Sequence, residues 1–157
     1  MFPSHDNIAW EALLTDLRQN YSEEDFVSTL SDLGIIDPRK AHEEQYITVQ
    51  SYAAIFRILY NSSYLSNEMS NRALGILSES MFKDGIVAGV PKGTIVAHKF
   101  GEQKNGNVQQ LHDCGIVYYK PNPHLLCVMT QGDNIDELKP VIQDVSKKVY
   151  EEVKGRN

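Results

Sequence analysis

The stretch AGVPKGTIVAHKFG, residues 88–101, divides the chain into two kinds of sequence. Before it, apolar residues recur at helical spacing, whereas after it they form short continuous runs of the kind that build strands. Its glycines and its proline interrupt the helical pattern, and residues 94–100 are the first β-rich run. Residues 102–110 are polar and follow Gly101, so we predict a turn region there.

Two further apolar runs, residues 111–119 and 124–131, flank Lys120-Pro121-Asn122-Pro123, which is typical of a hairpin connection. We therefore predict a three-stranded antiparallel meander. A helical stripe after Gly132 would cover this sheet, and Pro140 requires that the helix begin only a few residues earlier. Three strands make a small sheet for a chain of 157 residues, and at least one sheet edge has no visible partner.

The N-terminal half is predicted to be helical. Thr48 and Ser66 are suited to cap two of its helices, and Asp6 or Asn7 can cap an earlier one. We predict an α+β fold in a single domain over residues 1–157. Its helical part is residues 1–84, and residues 85–157 form the meander with the C-terminal covering helix.

Composition and charge exclude several classes of protein. Hydrophobic residues make up 41% and charged residues 23% of the chain, an ordinary globular mixture that excludes a disordered or collagen-like protein. The net charge of −6 argues against a nucleic-acid partner, because a phosphate-binding surface needs basic residues. No apolar run approaches the ~20 residues that span a membrane, and the N-terminus has no signal-peptide pattern.

The two cysteines, Cys114 and Cys127, fall in apolar runs that are predicted to be neighbouring strands. We predict buried, reduced thiols, because free cysteine behaves as a small hydrophobe. A bridge between the two is the alternative.

Three patterns suggest chemistry, each with a simpler alternative. Lys99 followed by Gly101 suits an anion site, but spacing alone favours the simpler interpretation of a solvated lysine before a turn glycine. Ser80 and Lys83 have the S-x-x-K spacing of an activated nucleophile, yet they fall where a helix ends rather than where one starts. Ser4-His5-Asp6-Asn7 places polar side chains at a helix N-terminus, where simple capping suffices.

A metal site is a further possibility, because three histidines and an aspartate fall in the meander. They are His98, His112, His124 and Asp113. Strand positions 112 and 113 face opposite sides, and no ligand pair has the short spacing of a preformed site. We therefore predict no metal and no cofactor.

Taken in order, several of these segments resemble the C-terminal part of the class A β-lactamase-like serine hydrolases, relatives of the penicillin-binding transpeptidases. The segments are TVQSYA at 48–53, Leu65-Ser66, AGVPKGTIVAHKFG at 88–101 and HDCGIVY at 112–118. The resemblance covers nearly the whole chain. It implies acyl transfer and hydrolysis on β-lactams or cell-wall peptides, a chemistry associated with bacterial antibiotic resistance.

The resemblance also implies roles for particular residues. Lys99, Phe100 and Gly101 stand where the family has its K-[TS]-G strand, which binds the substrate carboxylate. The Glu102 N–H would be one of two oxyanion donors. Asn7 matches the end of the family's S-x-N motif, in which the serine shuttles a proton. His5 replaces that serine, unless Ser4 serves with a one-residue shift.

Departures from the family pattern lead to an expectation of an inactive chain. Phe100 replaces a hydroxyl residue, and only Glu43 or Glu44, near Thr48, is a candidate for the deacylating glutamate. In the family the S-x-x-K nucleophile precedes S-x-N, so we expect the nucleophile segment to be absent from this chain. The alternatives are a non-catalytic module that binds peptide or peptidoglycan, and a new nucleophile pair formed by Ser80 and Lys83.

The partners follow from the same resemblance. A small-molecule or peptide substrate is expected, with no nucleic acid, no membrane span and self-association through an exposed sheet edge. The family is usually exported to the cell envelope, but these residues do not fix a compartment.

Overall fold

The computed structural model describes residues 7–35 and 48–156. Four helices come first, and a short 3-10 turn, a sheet and a long helix follow. The helices are α1 (Asn7–Asn20), α2 (Glu23–Asp32), α3 (Val49–Asn61) and α4 (Asn67–Ser78), and the 3-10 turn is Ile86–Gly89. The remaining elements are β1 (Val96–Asn105), β2 (Val108–Val117), β3 (His124–Gly132) and α5 (Ile135–Gly155).

The helix starts follow the caps in the sequence. Thr48 accepts a hydrogen bond from the Ser51 N–H, and Ser66 accepts one from the Met69 N–H. Each cap satisfies an N–H group that has no partner within the helix. The caps predicted at Thr48 and Ser66 are therefore confirmed.

The sheet is an antiparallel meander in the order β1-β2-β3, as predicted. The polar region 102–110 is not the turn that we expected, because β1 runs to Asn105 and β2 begins at Val108. Gly106, at φ +60°, opens a two-residue hairpin loop, the position where type II′ turns take glycine. Cross-strand pairing therefore continues through a polar sequence that shows no apolar signal of its own.

Helices cover both faces of the sheet. Odd residues of β1 and even residues of β2 face α3 and α4, where Ala97, Cys114 and Ile116 pack on Phe56 and Leu74. We call this the α3/α4 face. The opposite α5 face carries the other apolar cluster, which includes Val96, Leu111, Val117, Leu126, Leu138 and Ile142.

Two further expectations differ from the structure. Cys114 and Cys127 are paired opposite each other in the sheet and are joined as a disulfide, so the prediction of reduced thiols is wrong. Adjacent strands bring such a pair together, which the sequence alone does not fix. Pro140 lies in the second turn of α5 rather than in its first. No helix in the described part of the chain is both long and apolar enough to cross a membrane.

Candidate active site at the open edge of the first strand

The main-chain groups of β1 alternate between β2 and the open side of the strand. The Tyr118 N–H donates to the Ile95 carbonyl at 2.9 Å, and pairing then continues without a bulge along all of β1. In an antiparallel ladder, alternate residues direct both N–H and C=O to the partner strand. The odd residues of β1 therefore direct their main-chain groups to β2. The even residues direct theirs away from β2, so the Glu102 N–H points to the open side.

Lys99 lies at the same open edge. Its ammonium donates to the Phe100 carbonyl, which belongs to an even residue and so points away from β2. The Lys99 Nζ also lies 4.9 Å from the centroid of the Phe100 ring, within the range of a cation–π contact. Burial lowers the pKa of the Lys99 ammonium, and the charge of Asp113 partly opposes that shift.

Tyr52 on α3 holds the Lys99 backbone against the helices. Its hydroxyl donates to the Lys99 carbonyl at 2.7 Å. Burial raises the pKa of the Tyr52 hydroxyl, and the Asp113 charge adds to the shift, so the group stays protonated and keeps donating. The contact links α3 to the strand at the residue that carries the positive charge.

Phe100 packs on the α5 face. Its ring is stacked on Phe82 with centroids 4.1 Å apart. A phenylalanine supplies no hydroxyl for a ligand, so this position contributes packing instead of a hydrogen bond. At Gly101, on the α3/α4 face, an added Cβ would meet no atom within 4 Å, so the strand is open to a ligand there.

A buried hydrogen-bonded pair holds β1 from its other face. His98 Nδ1 lies 2.8 Å from Asp113 Oδ1, and both residues are fully buried. The other oxygen of Asp113 accepts the Ile86 N–H at 2.8 Å, so one carboxylate joins β1, β2 and the 3-10 turn. His98 Nε2 is buried and has no hydrogen-bond partner among the described residues.

The histidines of the meander do not converge. His98 lies on the α5 face, and His112 lies on the α3/α4 face beside Gln110, whose Oε1 is 3.2 Å from His112 Nε2. Burial lowers the pKa of His112, and a hydrogen bond to the Leu111 backbone partly opposes the shift. Within residues 7–35 and 48–156, no three His, Cys, Asp or Glu side chains are grouped as a metal site.

The other residues singled out in the sequence are placed as follows. Ser4, His5, Glu43 and Glu44 lie outside the described residues, and Asn7 begins α1 with its side chain outside the description. Ser80 follows the end of α4, and Lys83 is exposed in the next loop. Lys83 is therefore not on a helical turn that follows Ser80, which removes the geometry of an S-x-x-K pair. Lys99, Phe100, Gly101 and Glu102 are consecutive residues of β1, and their side chains alternate between the two faces of the sheet.

Residues 5–153 match the sequence profile described as the β-lactamase enzyme family. This match covers most of the chain. The chain belongs to the β-lactamase enzyme family. No curated protein matches it in a sequence search.

Solved structures agree on the fold. The structure of PBP-A aligns with a TM-score of 0.70 at 19% identity, over 88% of this chain and 54% of that one. A β-lactamase from Sphaerobacter thermophilus aligns at 0.64 and 18% identity, over 87% and 54%. The class A β-lactamase from Mycobacterium abscessus aligns at 0.59 and 21%, over 67% and 41%. The chain thus spans about half the length of these relatives, and the α+β meander is a partial β-lactamase-like fold.

The pairing of His98 with Asp113 is the contact that the sequence interpretation missed. The signal was available in Gly106-Asn107, a glycine-first dipeptide typical of two-residue hairpin loops. A tight turn at Gly106 would have placed Phe100 opposite Asp113 and His98 diagonal to it, on one face.

Proposed function

We propose that these residues contribute the β1 side of an acyl-transfer site in a β-lactamase-like serine hydrolase. In this proposal Lys99 binds the carboxylate of a β-lactam or cell-wall peptide, and the Glu102 N–H stabilises the oxyanion. The observation that carries it is the placement of the Lys99 ammonium and the Glu102 N–H at the same open strand edge. An extended substrate can pair with such an edge through its own amide groups.

The remaining proposed roles belong to residues near the N-terminus and to two further residues of β1. Asn7 would hydrogen-bond the substrate amide, and Ser4 or His5 would shuttle the proton. Phe100 and Gly101 would contact the substrate along the strand. A variant of PBP-A has been solved as an acyl-enzyme complex with penicillin G, which supports a β-lactam as the first ligand to test.

We further propose that the 157 residues do not form an acyl-enzyme on their own. The only S-x-x-K match, at Ser80 and Lys83, lies beyond the end of α4 and lacks the helical geometry in which a lysine activates a serine. A complete site would then need a nucleophile that these residues do not supply.

A non-catalytic module is the second candidate. Phe100 favours it, because its ring is packed on Phe82 where the family pattern has a carboxylate-binding hydroxyl. Such a module would bind peptide or peptidoglycan at the open edge of β1 without turnover.

Intact-mass spectrometry after incubation with penicillin G tests the acylation proposal, together with calorimetric titration of the same ligand. We expect no covalent adduct, and weak binding that Lys99→Ala reduces about tenfold, since one charge-assisted hydrogen bond is lost. Lys92→Ala is the matched control, because Lys92 is exposed in the loop before β1. A stoichiometric adduct on a serine would contradict the absence of a nucleophile. Equal affinity in Lys99→Ala and Lys92→Ala would remove the proposed role of Lys99.

A further inference from the structure

An aromatic pair lies beside the Lys99 ammonium at the open edge of β1. Phe82, in the loop between α4 and the 3-10 turn, stacks on Phe100 with ring centroids 4.1 Å apart. The Lys99 Nζ lies 4.9 Å from the centroid of the Phe100 ring and donates to the Phe100 carbonyl. Both phenylalanines are half-buried, so part of their surface remains accessible. A cation and an aromatic surface therefore adjoin each other at this edge.

The core beneath the pair holds it in place. Both phenylalanines pack against the apolar cluster of the α5 face. An added Cβ at Gly85 would lie 2.8 Å from a ring carbon of Phe82, so the glycine leaves room for the ring. The Phe82 ring also lies 6.4 Å from the imidazole of buried His98, measured between centroids. A ligand therefore meets a surface that is already ordered, which lowers the entropy cost of binding.

The chemistry of this surface is opposite to that of the ammonium beside it. A phenylalanine ring has no hydrogen-bonding group, and its face carries partial negative charge. A polar ligand group pressed against such a ring loses its hydrogen bonds to water and gains none in return. An apolar group gains free energy there by leaving water. The Lys99 ammonium favours an anion, so the two neighbours together favour a ligand in which an apolar group adjoins an anionic one.

We propose that Phe82 and Phe100 make the Lys99 site specific for a carboxylate that carries an apolar substituent, and set it against one that carries a hydroxyl in that place. The inference rests on the proposed function, because it takes Lys99 as the group that binds the carboxylate. It deepens that function by defining the part of the substrate next to the carboxylate. Phe100 contacts the substituent, and Phe82 is a positioning residue that holds the Phe100 ring through the stack.

Two acids of nearly equal size, isobutyrate and lactate, test this specificity. They share the carboxylate and one methyl group, and they differ only in whether the second substituent is a methyl or a hydroxyl. Titration of the full chain followed by NMR at the Glu102 amide measures both affinities. We expect the wild type to bind isobutyrate about fourfold more tightly than lactate, which is the effect of removing one methyl group from water.

Phe100→Thr is the disrupting variant, because it replaces the ring by a hydroxyl. We expect this change to abolish or reverse the preference for isobutyrate. Tyr64→Thr is the matched control, since Tyr64 is an exposed aromatic residue in the loop between α3 and α4. This control should keep the wild-type preference. A general loss of stability would lower both affinities together, whereas the ratio of the two affinities reports the specificity.

Equal affinities of the wild type for the two acids would overturn the inference, and so would an unchanged preference in Phe100→Thr. The wild-type comparison decides the question if Phe100→Thr does not fold. Lys99→Ala separates this inference from the proposed function. Binding that depends on Lys99 but shows no preference contradicts the specificity alone. Binding that Lys99→Ala leaves unchanged, or no binding of either acid, contradicts the carboxylate site itself and the inference with it.

Discussion

His98 Nδ1 and Asp113 Oδ1 lie 2.8 Å apart in the fully buried centre of the sheet. The same carboxylate accepts the Ile86 N–H, so it connects two strands and the 3-10 turn that α5 packs against. Lys99 is the next residue along β1 and faces the opposite side. The pair therefore anchors the strand from one face, while the Lys99 ammonium stays at its open edge.

Asp113→Ala should destabilise the protein strongly. The substitution leaves His98 Nδ1 and the Ile86 N–H buried without their partner, and each unsatisfied buried polar group costs about 1–3 kcal/mol. Urea unfolding measures the loss. Asp144→Ala, at an exposed position of α5, should change the free energy of unfolding by no more than about 0.5 kcal/mol. Equal effects of the two variants would show that the buried pair does not anchor the sheet.

Gly89→Ala should destabilise the contact between the 3-10 turn and α5. A Cβ at residue 89 would lie 2.5 Å from the Ser146 Cβ, and Ser146 itself bonds to the Ile86 carbonyl. Such overpacking costs about 1–3 kcal/mol. Gly75→Ala is the matched control, since nothing lies near its Cβ and the exposed helix position favours alanine. Thermal unfolding should show a lower Tm for the first variant and an equal or higher Tm for the second.

Lys99→Met should raise stability at neutral pH while it removes ligand binding. Burial lowers the pKa of Lys99, so the folded state binds this proton less tightly than the unfolded state. The free-energy cost to folding of burying this charged ammonium is present in full at neutral pH. It disappears as pH rises from the lowered pKa towards 10.5, the ordinary value. Because the side chain is partly exposed, the gain should be under about 1 kcal/mol. A Lys99→Met protein that is less stable than the wild type at pH 7 would contradict this account.

His112 should contribute to acid destabilisation. Burial lowers its pKa below the ordinary 6.5, so the unfolded state takes up the proton first as pH falls. The contribution of neutral His112 to the free energy of unfolding is complete above pH 6.5 and is lost progressively below that pH. His112→Gln should therefore flatten the curve of unfolding free energy against pH in this range. Parallel curves for the variant and the wild type would assign the acid sensitivity to other groups.

The features that the sequence predicted correctly depend on neighbours in the chain. Thr48 and Ser66 cap their helices through residues three positions later. The change from helical spacing to apolar runs near Gly89 located the meander, because that pattern too is set by residues close together in the chain. The K-x-G segment at Lys99 also reads directly from the sequence, and its role at the candidate site stays a prediction.

The features that only the tertiary structure decided depend on register between strands. A polar sequence on both sides of Gly106 extends the hairpin because cross-strand hydrogen bonds, and not apolar side chains, hold it together. That register places His98 near Asp113 and Cys114 opposite Cys127, which forms a buried hydrogen-bonded pair and a disulfide from residues whose pairing the sequence alone did not fix. It also decides that the Glu102 N–H faces outward. A shift of one residue in the pairing register would turn each of these side chains and main-chain groups to the opposite side of its strand, because the orientation of strand residues repeats every two positions.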